Sequence, residues 1–240
     1  MAENRNSGTA RRIKPKVSES LSRKIAGDGH GSLNVAKSAT PSSRPPRTAT
    51  LERKTRETTI AVGLMLDGTG RGEIDTGVPF LDHMLQSFSR HGFFDLTVRA
   101  KGDVEIDDHH TVEDVGIVLG RAFKQALGDR SGIKRFGCAT VPLDEALCTA
   151  VVDMSGRSYL AYNVPIRRER VGRFQTDLVH DFMKALSDEA GMNLHLTLHS
   201  GRNAHHIIEA AFKALARAMD QATSVEPRAQ GVLSTKGTLS

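Results

Sequence analysis

The chain has 240 residues, 38% of them hydrophobic, with 33 Lys or Arg against 28 Asp or Glu, two cysteines and no tryptophan. That length permits one or two modest domains, contains no apolar stretch long enough to cross a bilayer, and carries too few cysteines for a disulfide framework. The formal charge of +5 is spread unevenly along the chain, which excludes a simple nucleic-acid reading from overall charge.

The first fifty residues hold ten Lys or Arg against three Asp or Glu, half of the prolines, many serines and no periodic apolar run. Such a segment cannot bury enough surface to offset its ordering entropy, so a disordered basic tail is expected over residues 1–50. The rest has 23 basic against 25 acidic residues, and the basic character therefore belongs to the tail. The tail has no apolar core of the secretory type, and Glu3, Glu19 and Asp28 argue against an organelle transit peptide. A protein of the reducing cytoplasm, bound to neither membrane nor nucleic acid, is the expectation.

From Thr58 to Leu66, Ile60, Val62, Leu64 and Leu66 alternate as in a half-buried strand, which Gly68 and Gly70 then end. Phe80 to His91 has helical spacing, Phe94 to Ala100 reads as a strand, and Thr111 to Leu127 as a long helix closed by Gly128. Strands follow at Phe136–Val141, Ala146–Met154 and Tyr159–Val164. Asp177 is a candidate N-cap for a helix running to Ala190; Leu194, Leu196 and Leu198 mark a strand, and Ala204–Gln221 the last helix.

Two of these helices open on the same pattern, His-His-x-x-Glu: His109, His110 and Glu113, then His205, His206 and Glu209. Residues four apart share a helix face, whereas neighbours point about 100° apart. His109 can thus share an ion with Glu113 while His110 looks elsewhere, and the second copy behaves alike. Imidazole with carboxylate suits manganese, iron, zinc or nickel. Sliding one motif onto the other superposes Leu119 on Leu215, Arg121 on Arg217 and Ala122 on Ala218. Upstream, Asp67, Gly70, Arg71, Val78 and Pro79 answer to Asp153, Gly156, Arg157, Val164 and Pro165.

The chain therefore reads as a duplicated half. The fold expected is α/β (α+β): two similar half-domains, residues 51–140 and 141–240, each a mixed β-sheet with two helices on one face. The repeat sets His83, in the first helix, against Asp181, with His180 as a competitor. Eight candidate ligands result: His83, His109, His110, Glu113, Asp181, His205, His206 and Glu209. His195 and His199 fall on one face of a strand and are expected in core or interface.

The segments DGTG, TGVPFLDHML, HGFFDL, DDHHTVEDVGIVLG, RFG, VPLDEAL, SGRNAHHIIEAAFKALARAM and STKG resemble the imidazoleglycerol-phosphate dehydratase family. The resemblance covers Leu51 to Leu239. It implies a ribosomal-protein-S5-domain-2-like fold in each half and removal of water from imidazole glycerol phosphate, giving imidazole acetol phosphate, in histidine biosynthesis. It further implies two Mn2+ ions per active site, ligands from more than one subunit, and trimers assembled into a cubic 24-mer. Carried onto this chain, it makes Glu57 the candidate general acid/base, with His83, His110 and His206 catalytic through the metals. Arg135, Arg157, Lys213, Ser234 and Lys236 match phosphate contacts, and Gln86 and His91 line the pocket. Asp181 departs from the His or Glu often found there. A rival reading uses the same ligands in a di-metal oxidase or hydrolase acting on a phosphorylated small molecule; di-iron bundles, however, carry Glu-x-x-His on four long helices, the reverse of the order here. A non-enzymatic scaffold with a nucleic-acid-binding tail predicts no phosphate clamp.

Overall fold

The computed structural model describes residues 45–239. The tail expectation for residues 1–44 lies outside the described residues. In chain order the elements are β1 (Thr48–Lys54), β2 (Thr58–Met65), β3 (Gly72–Asp75), α1 (Pro79–Gly92), β4 (Asp95–Gly102), α2 (His109–Leu127), β5 (Phe136–Leu143), β6 (Ala146–Asp153), β7 (Tyr159–Asn163), β8 (Arg170–Val171), β9 (Phe174–Gln175), α3 (Leu178–Ala190), β10 (Asn193–Ser200) and α4 (Ala204–Thr223).

Alternation makes the central strands. In β2 Thr58, Ile60, Val62 and Leu64 are buried, and in β6 Ala146, Cys148, Ala150 and Val152 are, with the residues between them facing outward. The strand orders are β1-β2-β4-β3 and β5-β6-β10-β7. In both sheets the first three neighbours run antiparallel and the last pair, β3 with β4 and β7 with β10, is parallel. The two halves thus share one topology, as the repeat predicts. Each sheet carries its helices on one face: α1 on β3, α2 on β1, β2 and β4, α3 on β7, and α4 on β5, β6 and β10.

The helices of one half pack on those of the other, α1 against α4 and α2 against α3, so the helix layer lies between the sheets and the core fills it from both sides. Phe88, Phe94, Phe123, Phe182 and Phe212 are fully buried there, each worth roughly 1.5–3 kcal/mol of apolar burial. The α2–α3 seam is close because Gly116 and Gly120 lie along it. A Cβ at Gly116 would stand 2.9 Å from the Phe182 carbonyl oxygen, and one at Gly120 2.8 Å from that of Leu186.

The sheets contain strands that the sequence pattern does not announce. β1 begins at Thr48, inside the segment read as tail, and pairs with β2 along its whole length. Its inward positions are Ala49, Leu51 and Arg53, too weak an apolar signal, and Arg53 is neutralised by Asp114 of α2. β3 is four residues long with Ile74 as its one half-buried position. β5 runs across residue 140, so by sheet membership the second half starts at Phe136. Asp177 sits at the N-cap position of α3, but its side chain makes no capping hydrogen bond. His195 and His199 are exposed on β10, not core. Cys138 and Cys148 are both free. Among the described residues no helix is long and apolar enough to cross a membrane.

Candidate active site

The two helices that open on His-His-x-x-Glu are started in the same way. Asp107 Oδ1 accepts the His109 backbone N–H at 2.9 Å, and Asn203 Oδ1 accepts that of His205 at 3.0 Å. In each case a short polar side chain two residues ahead satisfies a helix-start donor that the helix cannot, which fixes where the first histidine leaves the backbone.

Because α1 packs on α4, His83 meets the second motif. His83 Nε2 and His205 Nε2 lie 3.4 and 3.2 Å from the same Glu209 carboxylate oxygen, and one ligand atom from each of the three residues falls within 4.8 Å of the others. Phe80 stands edge-on to His205 at 5.2 Å between ring centroids and is itself backed by Phe174 of β9 at 5.1 Å. The small β8–β9 hairpin, unforeseen in the sequence, therefore buttresses this cluster, and an apolar cleft of about 390 Å³ opens beside His83 between α1 and the hairpin. Lys213, one helical turn beyond Glu209, pairs with its other oxygen at 2.7 Å. Burial alone would raise the Glu209 carboxyl, but the Lys213 ammonium, with His83 and His205, outweighs it and holds the group below the usual carboxylate range.

Because α2 packs on α3, the first motif meets Asp181. His109 has Nε2 3.8 Å from Glu113 and Nδ1 3.5 Å from Asp181, so the two carboxylates flank different nitrogens of one ring. His180 Nδ1 lies 3.3 Å from Asp181 Oδ1, and its ring stands nearly perpendicular to that of Tyr162 at 5.2 Å. Nitrogen and carboxylate oxygen donors without thiolate form a set suited to first-row divalent ions. Among the described residues, His83, His205 and Glu209 bring their ligand atoms together closely enough to fit a resident metal.

His110 and His206 belong to neither set within the chain. Each is held through Nδ1 by a carboxylate that the motif does not contain: His110 by Asp103 at 3.0 Å and His206 by Glu145 at 2.8 Å. These contacts raise both imidazoles above their ordinary pKa, while Glu145, held by His206 and by the backbone N–H groups of Asn203 and Arg202, drops to about 2. Glu57 is exposed, 4.0 Å from His110 Nδ1.

Of the proposed phosphate contacts, Arg135, Arg157, Ser234 and Lys236 line one cleft of about 570 Å³. Arg135 reaches Asp153 through Nε at 2.7 Å and Nη2 at 3.1 Å, and its third nitrogen donates to the Leu233 carbonyl, so it ties the C-terminal segment to β6. Lys213 is placed apart from this cleft, at Glu209. Gln86 lies one turn beyond His83 on the exposed side of α1, and His91 ends that helix, its pKa lowered by burial and by Lys213. The repeat counterpart of Arg135 is Arg47: each precedes the first strand of its half, and Arg47 grips Asp67 and the Thr223 carbonyl much as Arg135 grips Asp153 and Leu233.

The imidazoleglycerol-phosphate dehydratase family model matches residues 76–219. An imidazoleglycerol-phosphate dehydratase of Pelobacter propionicus is 58% identical over 193 residues, 80% of this chain and 99% of the relative. That of Halalkalibacterium halodurans is 56% identical, again over 80% of this chain and all of the relative. Among solved structures, the Staphylococcus aureus enzyme superposes with a TM-score of 0.68 at 37% identity, over 75% of this chain and 99% of its own. The Pyrococcus furiosus enzyme, solved in complex with (S)-C348, gives 0.69 at 38% identity, over 79% and 100%.

Proposed function

The chain belongs to the imidazoleglycerol-phosphate dehydratase family, and from that premise we propose how its own residues divide the work. It is a carbon–oxygen lyase that dehydrates imidazole glycerol phosphate in histidine biosynthesis, and the family is metal-dependent. The observation that carries the reading is the His83, His205 and Glu209 group drawn together by α1 and α4, with His109 flanked by Glu113 and Asp181 where α2 packs on α3.

We assign one Mn2+ to each of these places. His110 and His206, which the single chain leaves outside both, serve as further ligands for sites completed by neighbouring copies, in an assembly of trimers forming a 24-mer in the cytoplasm. Dehydration removes a proton from a carbon bearing a hydroxyl and releases hydroxide from the carbon attached to the imidazole ring, a carbon acid that no side chain deprotonates unaided. Metal ions bound there supply Lewis acidity that stabilises the charge developing on the ring and on the hydroxyl.

The protein's groups do the rest. Glu57, free at the mouth of the β1–β2 turn, is the general acid/base that holds and moves the proton. Arg157, Ser234 and Lys236 bind the phosphate, with Arg135 fixing the segment that carries the last two; Arg's fork and Lys's point charge suit its oxygens. Gln86 and His91 line the pocket along α1, and Lys213 keeps Glu209 ionised and adds positive charge beside it.

His110→Ala and His206→Ala test the assignment. Each is expected to abolish turnover of imidazole glycerol phosphate and to weaken the assembly, read by product formation and sedimentation. Full activity in either variant would remove the ligand role of that histidine.

A further inference from the structure

Glu57 and Glu145 hold the same place in the two halves: each is the residue before the second strand, β2 or β6. Their surroundings differ. Glu145 is fully engaged, with Oε2 accepting from His206 Nδ1 at 2.8 Å and Oε1 accepting the backbone N–H groups of Arg202 and Asn203 at 3.1 and 2.8 Å, in front of α4. The Glu57 side chain is 56% exposed and stops 4.0 Å short of His110, beyond hydrogen-bond reach. His110 is held instead by Asp103, just past β4.

The second half has no room for such an acid. The residue just past β10 is Gly201, at φ +154°, where a Cβ would lie 2.6 Å from Ile207 Cγ1. The two copies have thus exchanged roles. Where the loop after the sheet offers Asp103, the hairpin glutamate is released; where that loop is closed by Ile207, the hairpin glutamate takes the imidazole.

We propose that Asp103 and Glu145 are the positioning residues of the two imidazoles outside the in-chain clusters, and that Asp103, by holding His110, leaves Glu57 free for proton transfer. This rests on the reading of His110 and His206 as metal ligands. A carboxylate accepting the Nδ1 proton fixes the ring's rotation and tautomer and leaves the lone pair on Nε2. Partners of this kind raise ligand basicity and are worth about 10- to 100-fold in metal affinity when removed.

The test uses the full-length assembled protein, stripped of metal and titrated with Mn2+, with free Mn2+ counted by electron paramagnetic resonance. Asp103→Asn and Glu145→Gln are each expected to bind Mn2+ about 10- to 100-fold more weakly, with the thermal midpoint of the metal-free protein retained and much of the turnover recovered at saturating Mn2+. Glu145→Gln keeps an amide oxygen for the Arg202 and Asn203 N–H groups, so α4 keeps its start; should it fail to assemble, Asp103→Asn decides alone. Glu57→Gln is expected to keep wild-type Mn2+ affinity and lose turnover that added Mn2+ does not restore. Unchanged Mn2+ affinity in the assembling carboxylate variants overturns the proposal, as does equal weakening in Glu57→Gln. Undiminished Mn2+ binding in His110→Ala and His206→Ala would instead bring down the ligand reading beneath it.

Discussion

Lys213 and Lys236 carry the same charge to different places, one against Glu209 and the other into the cleft with Arg135, Arg157 and Ser234. Removing a group that binds the phosphate equally in ground and transition states raises KM and spares kcat. Lys236→Ala is therefore expected to raise the KM for imidazole glycerol phosphate with little change in kcat, measured by steady-state kinetics at saturating Mn2+; an unchanged KM would take Lys236 out of the clamp. At this scale the histidines are legible in the sequence because helical periodicity alone puts His109 above Glu113 and His205 above Glu209. Asp103 and Glu145 are not, because each reaches its imidazole from a loop or a turn, and no spacing rule joins a loop acid to a helix ring. Asp181 lies 3.5 Å from His109 and is also contacted at 3.3 Å by His180, whose ring stands against Tyr162.

Each proposed metal set spans a helix pair from different halves, so ligand geometry depends on interhelical distance. Glu113, Gly116 and Gly120 rise along one side of α2, facing Asp181, Phe182 and Leu186 of α3. Gly120→Val places a side chain against the Leu186 carbonyl and forces the helices apart. It is expected to cost about 1–3 kcal/mol of stability, seen as a lower unfolding midpoint, and to weaken Mn2+ binding at His109. A midpoint unchanged or raised, as helix propensity alone predicts for replacing an interior glycine, would show that the seam is loose. The long elements were legible because β2, β6 and the four helices bury one continuous face. β1 was hidden because its third inward residue is Arg53, an ion-pair partner of Asp114, and β3, β8 and β9 are too short for any period to declare itself.

The described residues form one sheet-and-helix topology used twice, with the helix layers joined face to face and the sheets outside. The repeat was readable from matched motifs, and the two four-stranded sheets agree strand for strand, the β8–β9 hairpin being an addition of the second half. Local register was less readable: Arg47, the counterpart of Arg135, lies in a segment whose composition looks unstructured. Deleting residues 1–44 is expected to leave turnover and thermal midpoint unchanged, since no proposed ligand lies there. Deleting residues 1–50 removes Arg47, with its grip on Asp67 and on the Thr223 carbonyl, and the first part of β1, and is expected to lower the midpoint measurably; equal midpoints for the two truncations would show that β1 contributes nothing before Leu51.

Metal-dependent dehydration is tested most directly by stripping the assembled protein with a chelator, returning Mn2+ stepwise, and following the enolisable ketone formed from imidazole glycerol phosphate. Turnover is predicted to vanish on stripping and to return in proportion to Mn2+ bound, reaching its plateau at two ions per chain. Undiminished ketone formation by protein that elemental analysis shows to be free of metal would contradict it.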